Sequence, residues 1–160
     1  MLQSVFHLQH AFLFYQGFLE VTNPLKHKKK RAMRCPYCGA PVVYRSAEGI
    51  YQENKKGVML YVCSRYPECD AYVRVQPGTK LPLGTLANGD LRALRRQAHG
   101  QFDRLYKEGL MTKDGAYRWL GELLGLPQSQ AHIGCLGEYN CRVVLEKSRE
   151  LLEKRGRNAS

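Results

Sequence analysis

The chain has no clean run of the roughly 20 apolar residues that a membrane-spanning helix needs. Its most apolar stretch, residues 5–21, is broken by His7, Gln9, His10, Gln16 and Glu20. An export signal places positive charge before its apolar core, whereas Lys26, Lys28, Lys29, Lys30 and Arg31 follow this one. We therefore expect a cytoplasmic protein that does not engage a membrane. Acidic residues are few, 14 Asp and Glu against 25 Lys and Arg, for a net charge of +11. No acidic metal cluster, phosphate-cradling loop or activated nucleophile stands out, so enzymatic chemistry is not expected. The basic excess favours a polyanionic partner without naming one. It is uneven: residues 35–160 hold 19 basic and 13 acidic side chains, a net of +6. The length and the 44% hydrophobic content suit one compact domain or two small ones.

Cysteine is well represented, and its spacing is the strongest signal. Cys35-Pro36-Tyr37-Cys38 and Cys63-Ser64-Arg65-Tyr66-Pro67-Glu68-Cys69 form two short-spaced pairs separated by a β-rich segment. Each pair can present two thiolates from one tight turn, and two such turns satisfy tetrahedral zinc with no open position. Cys35, Cys38, Cys63 and Cys69 are thus expected to hold a structural Zn²⁺ contributing roughly 10–16 kcal/mol of apparent binding free energy to folding. Pro36 restricts the first knuckle and Pro67 the second, and Gly39 can turn backbone N–H groups toward sulfur. Two disulfides would be the alternative in a secreted domain, and the missing export signal argues against them.

Three sections follow. Residues 1–33 read as a disordered extension or as a start assigned too early, Met33 being the alternative beginning; an arm touching membrane or nucleic acid is the functional counterpart. Residues 34–80 read as a small antiparallel zinc ribbon, with strands over 41–45, 58–63 and 70–75 rich in β-branched and aromatic residues. Alternation predicts one packed face and one free face, and Gly49, Asn54 and Gly57 predict a hairpin between the first two strands.

Residues 85–155 read as a three-helix bundle, making the fold class α+β. The first helix starts at an N-cap on Asp90 and presents Leu91, Leu94, Ala98, Phe102 and Leu105 on one face before Gly109 ends it. The second is capped by Thr112, carries Ala116, Trp119, Leu120, Leu123 and Leu124, and closes at Gly125. The third runs from Glu138 to about Lys154 with Cys141, Val144, Leu145, Ser148 and Leu152 at helical spacing.

Cys-Pro-x-Cys-Gly followed by Cys-Ser-x-Tyr-Pro-x-Cys resembles the C-terminal zinc ribbons of bacterial type IA DNA topoisomerases over residues 35–75. That resemblance implies single-stranded DNA as the ligand. Aromatic faces beside cations are the means such binding uses, and Tyr44, Tyr61, Tyr66 and Tyr72 with Arg45, Arg65 and Arg74 supply the mixture. Arg45, Tyr61, Arg65, Tyr66 and Arg74 are the candidate contacts, with ordinary packing and solvated surface charge as the competing explanation for each.

The order of ribbon and bundle resembles a zinc-finger-containing family of phages and bacteria over residues 34–152. The residues that carry this likeness are Arg-Gln-Ala-His-x-x-Phe-Asp in the first helix, Ala-Tyr-x-Trp-Leu in the second and Ala-His-Ile-Gly after it. It implies an architecture and a phage or prophage setting, but no reaction.

Three functions stand open: a zinc-dependent accessory protein binding DNA through the ribbon, a module docking on a host protein through the ribbon tyrosines or the bundle around Trp119 and Tyr117, and a nuclease-like enzyme. The third would use His99 and Asp103, four apart on one helical face, with His132 approaching from the following turn. His132, Cys135 and Cys141 could alternatively begin a second metal site, although Cys141 also suits an apolar helix stripe.

Overall fold

The computed structural model of the chain describes residues 32–158. The expectations for residues 1–31 lie outside the described residues. In order, the elements are β1 (Val42–Ser46), β2 (Met59–Cys63), β3 (Tyr72–Arg74), α1 (Gly89–Lys107), α2 (Lys113–Leu124), a 3-10 turn (Ile133–Cys135) and α3 (Glu138–Asn158). A small antiparallel sheet is thus followed by three helices, the α+β arrangement expected.

The sheet has the order β1-β2-β3. Its hairpin is built by Asn54, which accepts the Val58 N–H at 2.7 Å and donates to Ser46 Oγ and the Val58 carbonyl at 3.0 and 3.1 Å. Directly opposed residues of antiparallel strands share a face. The register Tyr44↔Tyr61↔Val73 therefore fixes one face, and Arg45↔Leu60↔Arg74 fixes the other. The first face packs Cys63, Ala71, Val73 and Leu86 around the cysteine knuckles. The second packs Ala47, Leu60 and Val62 beneath Ile50, Tyr51 and Tyr66. The expectation of one packed and one free face is corrected: the segment joining β1 to β2 turns back over the second face, where the Tyr51 ring stands 6.2 Å from that of Tyr72. Along β1 both faces stay partly open, with Tyr44 on the first 39% exposed and Val43 on the second 41% exposed.

Residues 81–87 run beside β3, with the Leu83 N–H donating to the Arg74 carbonyl and Tyr72 exchanging backbone hydrogen bonds with Ala87. This strap covers an edge that would otherwise leave unpaired backbone groups. It leads into α1, whose N-cap is Asn88 instead of Asp90. Asn88 has extended backbone and its Oδ1 accepts the Leu91 N–H at 3.0 Å, while Asp90 sits in the first turn, where its charge suits the helix dipole.

α2 starts and stops as read, with Thr112 accepting the Gly115 N–H and Gly125 left-handed at φ 63°. α3 buries Cys141, Val144 and Ser148 and runs past Lys154 to Asn158. Phe102 is fully buried at the centre of the bundle, with ring centroids of Tyr117, Tyr106 and Trp119 at 5.2, 6.2 and 6.4 Å. Among the described residues no helix is long and apolar enough to cross a membrane.

Ribbon and bundle belong to one compact unit. Arg95 of α1 donates to the carbonyls of Leu136 and Thr85 and to Thr85 Oγ1, at 2.7 to 2.9 Å. Beside it, Gly84 of the strap lies against Gly134 so closely that a Cβ on Gly84 would sit 2.1 Å from the Gly134 carbonyl oxygen. Two glycines are needed for that backbone approach.

Candidate metal centre and nucleic-acid interface

Each knuckle is a short hydrogen-bonded turn. In the first, the Cys35 N–H donates to the Ala40 carbonyl and the Gly39 N–H to the Cys35 carbonyl, both at 2.9 Å, with Gly39 at φ 71°. In the second, the Tyr66 N–H donates to the Cys63 carbonyl and the Cys69 N–H to the Arg65 carbonyl, both at 3.0 Å, around a cis Tyr66–Pro67 peptide. The sheet brings the two turns together because Cys63 ends β2 directly opposite Val42 at the start of β1. The four sulfurs of Cys35, Cys38, Cys63 and Cys69 consequently lie within 4.8 Å of one another. Cys35 and Cys63 are buried, and Cys38 and Cys69 are partly exposed.

The closest sulfur pairs, Cys38–Cys63 at 3.4 Å and Cys35–Cys69 at 3.6 Å, are far longer than a disulfide bond of about 2.05 Å. They are close to the separation of about 3.8 Å between thiolates bound tetrahedrally at about 2.3 Å to one ion. The donor set therefore fits a metal ion. The Ala40 backbone N–H, as hydrogen-bond donor to the Cys38 sulfur, lowers that thiol to about 7. Burial pushes Cys63 up to about 12. At Cys69 the Ala71 backbone N–H pulls downward, but burial and the Cys35 and Cys38 sulfurs outweigh it and the thiol is raised. Metal binding displaces these protons, so loading and folding are linked.

Residues 31–151 match a family described as a zinc-finger-containing domain. The chain belongs to that family. No curated protein and no solved structure matches it. Among the described residues, the zinc-finger family's defining chemistry has one place to reside, the four-cysteine cluster. Cys135 is exposed on the 3-10 turn and Cys141 is buried in the bundle core, so with His132 they assemble no second metal group.

The five candidate nucleic-acid contacts are dispersed by the strand register. Tyr61 lies on the metal-bearing face, its ring 5.4 Å from that of Tyr44, and its hydroxyl donates to the Lys80 carbonyl at 3.0 Å. Arg74 lies on the other face, where its charge acts on Tyr51, while the chain around it borders a groove of about 730 Å³ that Tyr44, Lys56 and Lys80 also line. Arg45 is occupied locally, donating to the carbonyls of Ser46 and Glu48. Tyr66 packs against the core of the second face, and Arg65 is exposed on the second knuckle. Lys80, whose ammonium stands 5.9 Å from the Tyr44 ring centroid, and Lys56 were not singled out from sequence. A lysine in a turn carries no periodic signal; only its fold neighbours distinguish it.

In the bundle, His99 Nδ1 is 3.2 Å from Asp103 Oδ1, as the spacing suggested. The same carboxylate also pairs with Lys107 Nζ at 2.8 Å and accepts the Tyr106 hydroxyl. His132 stands instead against Tyr117, with ring centroids 6.4 Å apart. Tyr117 and Trp119 are partly buried, each with its ring against Phe102.

Proposed function

We propose that this protein is a zinc-binding accessory factor that holds nucleic acid, with single-stranded or distorted DNA preferred, on the open half of the ribbon's metal-bearing face. Zinc is the ion that four clustered thiolates in a closed tetrahedral site suit best, and its role is structural. The observation that carries the binding reading is the exposed Tyr44 ring, tilted against Tyr61 and overlain by Lys80. A base can stack on Tyr44 while Lys80 and Lys56 follow phosphate, the combination that sequence-tolerant single-strand binding uses. Binding in place of catalysis is supported by the closed metal geometry and by Asp103, whose Oδ2 is already held by Lys107. A cytoplasmic role in a phage or prophage setting completes the reading.

The test is fluorescence anisotropy of labelled single-stranded and duplex oligonucleotides over a salt series, with metal content verified in every sample. Affinity should fall with rising salt. Tyr44→Ala should weaken binding by about 1–3 kcal/mol, the range for one base–aromatic stack. Absence of binding by the metal-loaded wild type would sink the proposal.

One observation favours a second reading, docking on a host protein. A cleft of about 490 Å³ between the first knuckle and α1 is lined by Met33 and Tyr37, both large, apolar and exposed. Salt-insensitive binding to a protein without DNA affinity would support that reading over the first.

A further inference from the structure

The cleft between the first knuckle and α1 holds a guanidinium whose charge nothing around it balances. Of the lysines and arginines that are partly buried among the described residues, Arg92 meets Asp70 at 2.9 Å and Lys147 meets Glu150 at 2.8 Å. Arg95, one turn beyond Arg92 on α1, has no carboxylate partner, and no Asp or Glu lines the cleft. Its Nε donates to the Leu136 carbonyl, its Nη1 to the Thr85 carbonyl and its Nη2 to Thr85 Oγ1, all neutral oxygens. Burial pushes the guanidinium below the ordinary arginine value. The groups acting against that are Cys141, Tyr37 and Cys135, weaker acids than a carboxylate. Tyr37 and Cys135 themselves line the cleft, as Thr85 does, so the charge stands at its wall.

A charge drawn out of water without a counter-ion is unfavourable, and an anion entering the cleft relieves it. The bonds to Leu136 and Thr85 hold the guanidinium in place before any ligand arrives, which lowers the ordering cost of binding. The rest of the lining selects the kind of anion. Met33 and Tyr37 are 38% and 46% exposed, and Pro36, Leu86 and Leu91 continue the apolar wall. Arg34, the other cation of the lining, donates to the Gly39 carbonyl of its own knuckle. One buried charge among apolar side chains suits one carboxylate beside a large apolar residue, whereas a nucleic-acid strand brings successive phosphates that call for successive cations.

We propose that this cleft docks a peptide segment of a partner protein in which an Asp or Glu lies next to a large apolar residue, the carboxylate pairing with Arg95 and the apolar side chain resting on Met33, Tyr37 and Leu91. The inference deepens the protein-docking reading above and rests on it, and it is separate from the surface around Tyr44.

Cys135 supplies the readout, because its exposed thiol lines the cleft while Cys141 is buried and the clustered thiols are held by metal. The metal-loaded full chain is alkylated with a maleimide in the presence of hexapeptides that pair Asp, Glu, Asn or Gln with Leu, Met, Phe or Trp, and labelling of Cys135 is followed by peptide mass spectrometry. Acidic peptides should shield Cys135 at about tenfold lower concentration than their amide counterparts, the scale of one hydrogen bond to a charged group. Arg95→Gln should erase that difference. Because this change also removes bonds to Leu136 and Thr85, Tyr37→Ser on the exposed knuckle is the second variant, and it should weaken shielding by every peptide while metal content and circular dichroism stay those of wild type. Equal shielding by acidic and amide peptides would overturn the carboxylate assignment and leave the docking reading intact. Shielding by none of them would overturn both, and shielding by a single-stranded oligonucleotide instead would assign the cleft to nucleic acid.

Discussion

The Asp70 carboxylate and the Arg92 guanidinium meet at 2.9 Å, next in sequence to Cys69 of the four-cysteine cluster on one side and within the first turn of α1 on the other. The same Asp70 oxygen accepts the Gly89 N–H at 2.8 Å, and Arg92 also donates to the Asp70 and Ala87 carbonyls while lying 3.7 Å from the Tyr72 ring centroid. One residue beyond the metal site therefore helps cap a bundle helix. Asp70→Ala should destabilise the bundle by about 1–2 kcal/mol, from loss of the capping bond and of a partly buried pair. Trp119 is the chain's one tryptophan and lies in α2, so its fluorescence during urea unfolding reads the bundle directly. An unchanged midpoint would show that the contact is idle.

Chelation should abolish the ribbon and, through Cys69 and Asp70, lower the Trp119 unfolding midpoint as well. The shift should be smaller in Asp70→Ala than in wild type, because the link is already cut. Elemental analysis should give about one zinc per chain, the content of a closed four-thiolate site. Cys63→Ser should lose that ion, and Cys135→Ser, whose sulfur lies outside the cluster, should keep it.

Gly84→Ala places a methyl group 2.1 Å from the Gly134 carbonyl oxygen and forces an L residue to φ 156°. Backbone on both sides leaves no flexible side chain to move aside, so a loss of about 1–3 kcal/mol is expected in urea unfolding. Gly137→Ala, where nothing lies within 4 Å of the added carbon, is the matched control and should change little. Equal effects would refute the steric account.

Tyr106 and Asp103 set opposite pH limbs. The hydrogen bond to Asp103, with burial, pushes the Tyr106 hydroxyl up to about 12. Its folded value lies above the unfolded one of about 10, so its contribution to stability is complete below about pH 10 and lost as pH rises through the folded value. Burial alone would raise Asp103, but hydrogen bonds from Lys107 and Tyr106 and the charge of His99 hold it below the usual carboxylate range. That contribution is present above the unfolded value of about 3.9 and lost as pH falls through the folded one. Urea midpoints across pH should show a flatter alkaline limb for Tyr106→Phe and a flatter acid limb for Asp103→Asn than for wild type.

Ser148 is fully buried on α3 and its hydroxyl has no hydrogen-bond partner. Desolvating a hydroxyl without a partner is unfavourable, so Ser148→Ala should raise stability by about 1 kcal/mol and lift the thermal midpoint. A lowered midpoint would mean that the hydroxyl is satisfied in solution.

Sequence alone picked out the four cysteines whose sulfurs cluster, since two thiols per turn is a local matter of spacing. It also determined the helices, because Phe102, Leu105, Leu120 and Val144 recur at helical intervals and caps such as Thr112 and Gly125 act on adjacent backbone. The N-terminus of α1 was misplaced by two residues because Asn88 and Asp90 are equally good caps and only the extended backbone at Asn88 selects between them.

Tertiary structure decided which side chains share a surface. Alternation along one strand separates its two faces, but the pairing of neighbouring strands determines whose residues join them. That register put Tyr44 and Tyr61 on the face of the metal site, set Arg45 and Arg74 on the other, and left Arg45 bonded to its own turn. Lys56 and Lys80 reach the groove from two loops that are distant in sequence, a meeting created by chain folding and by the Tyr61–Lys80 hydrogen bond.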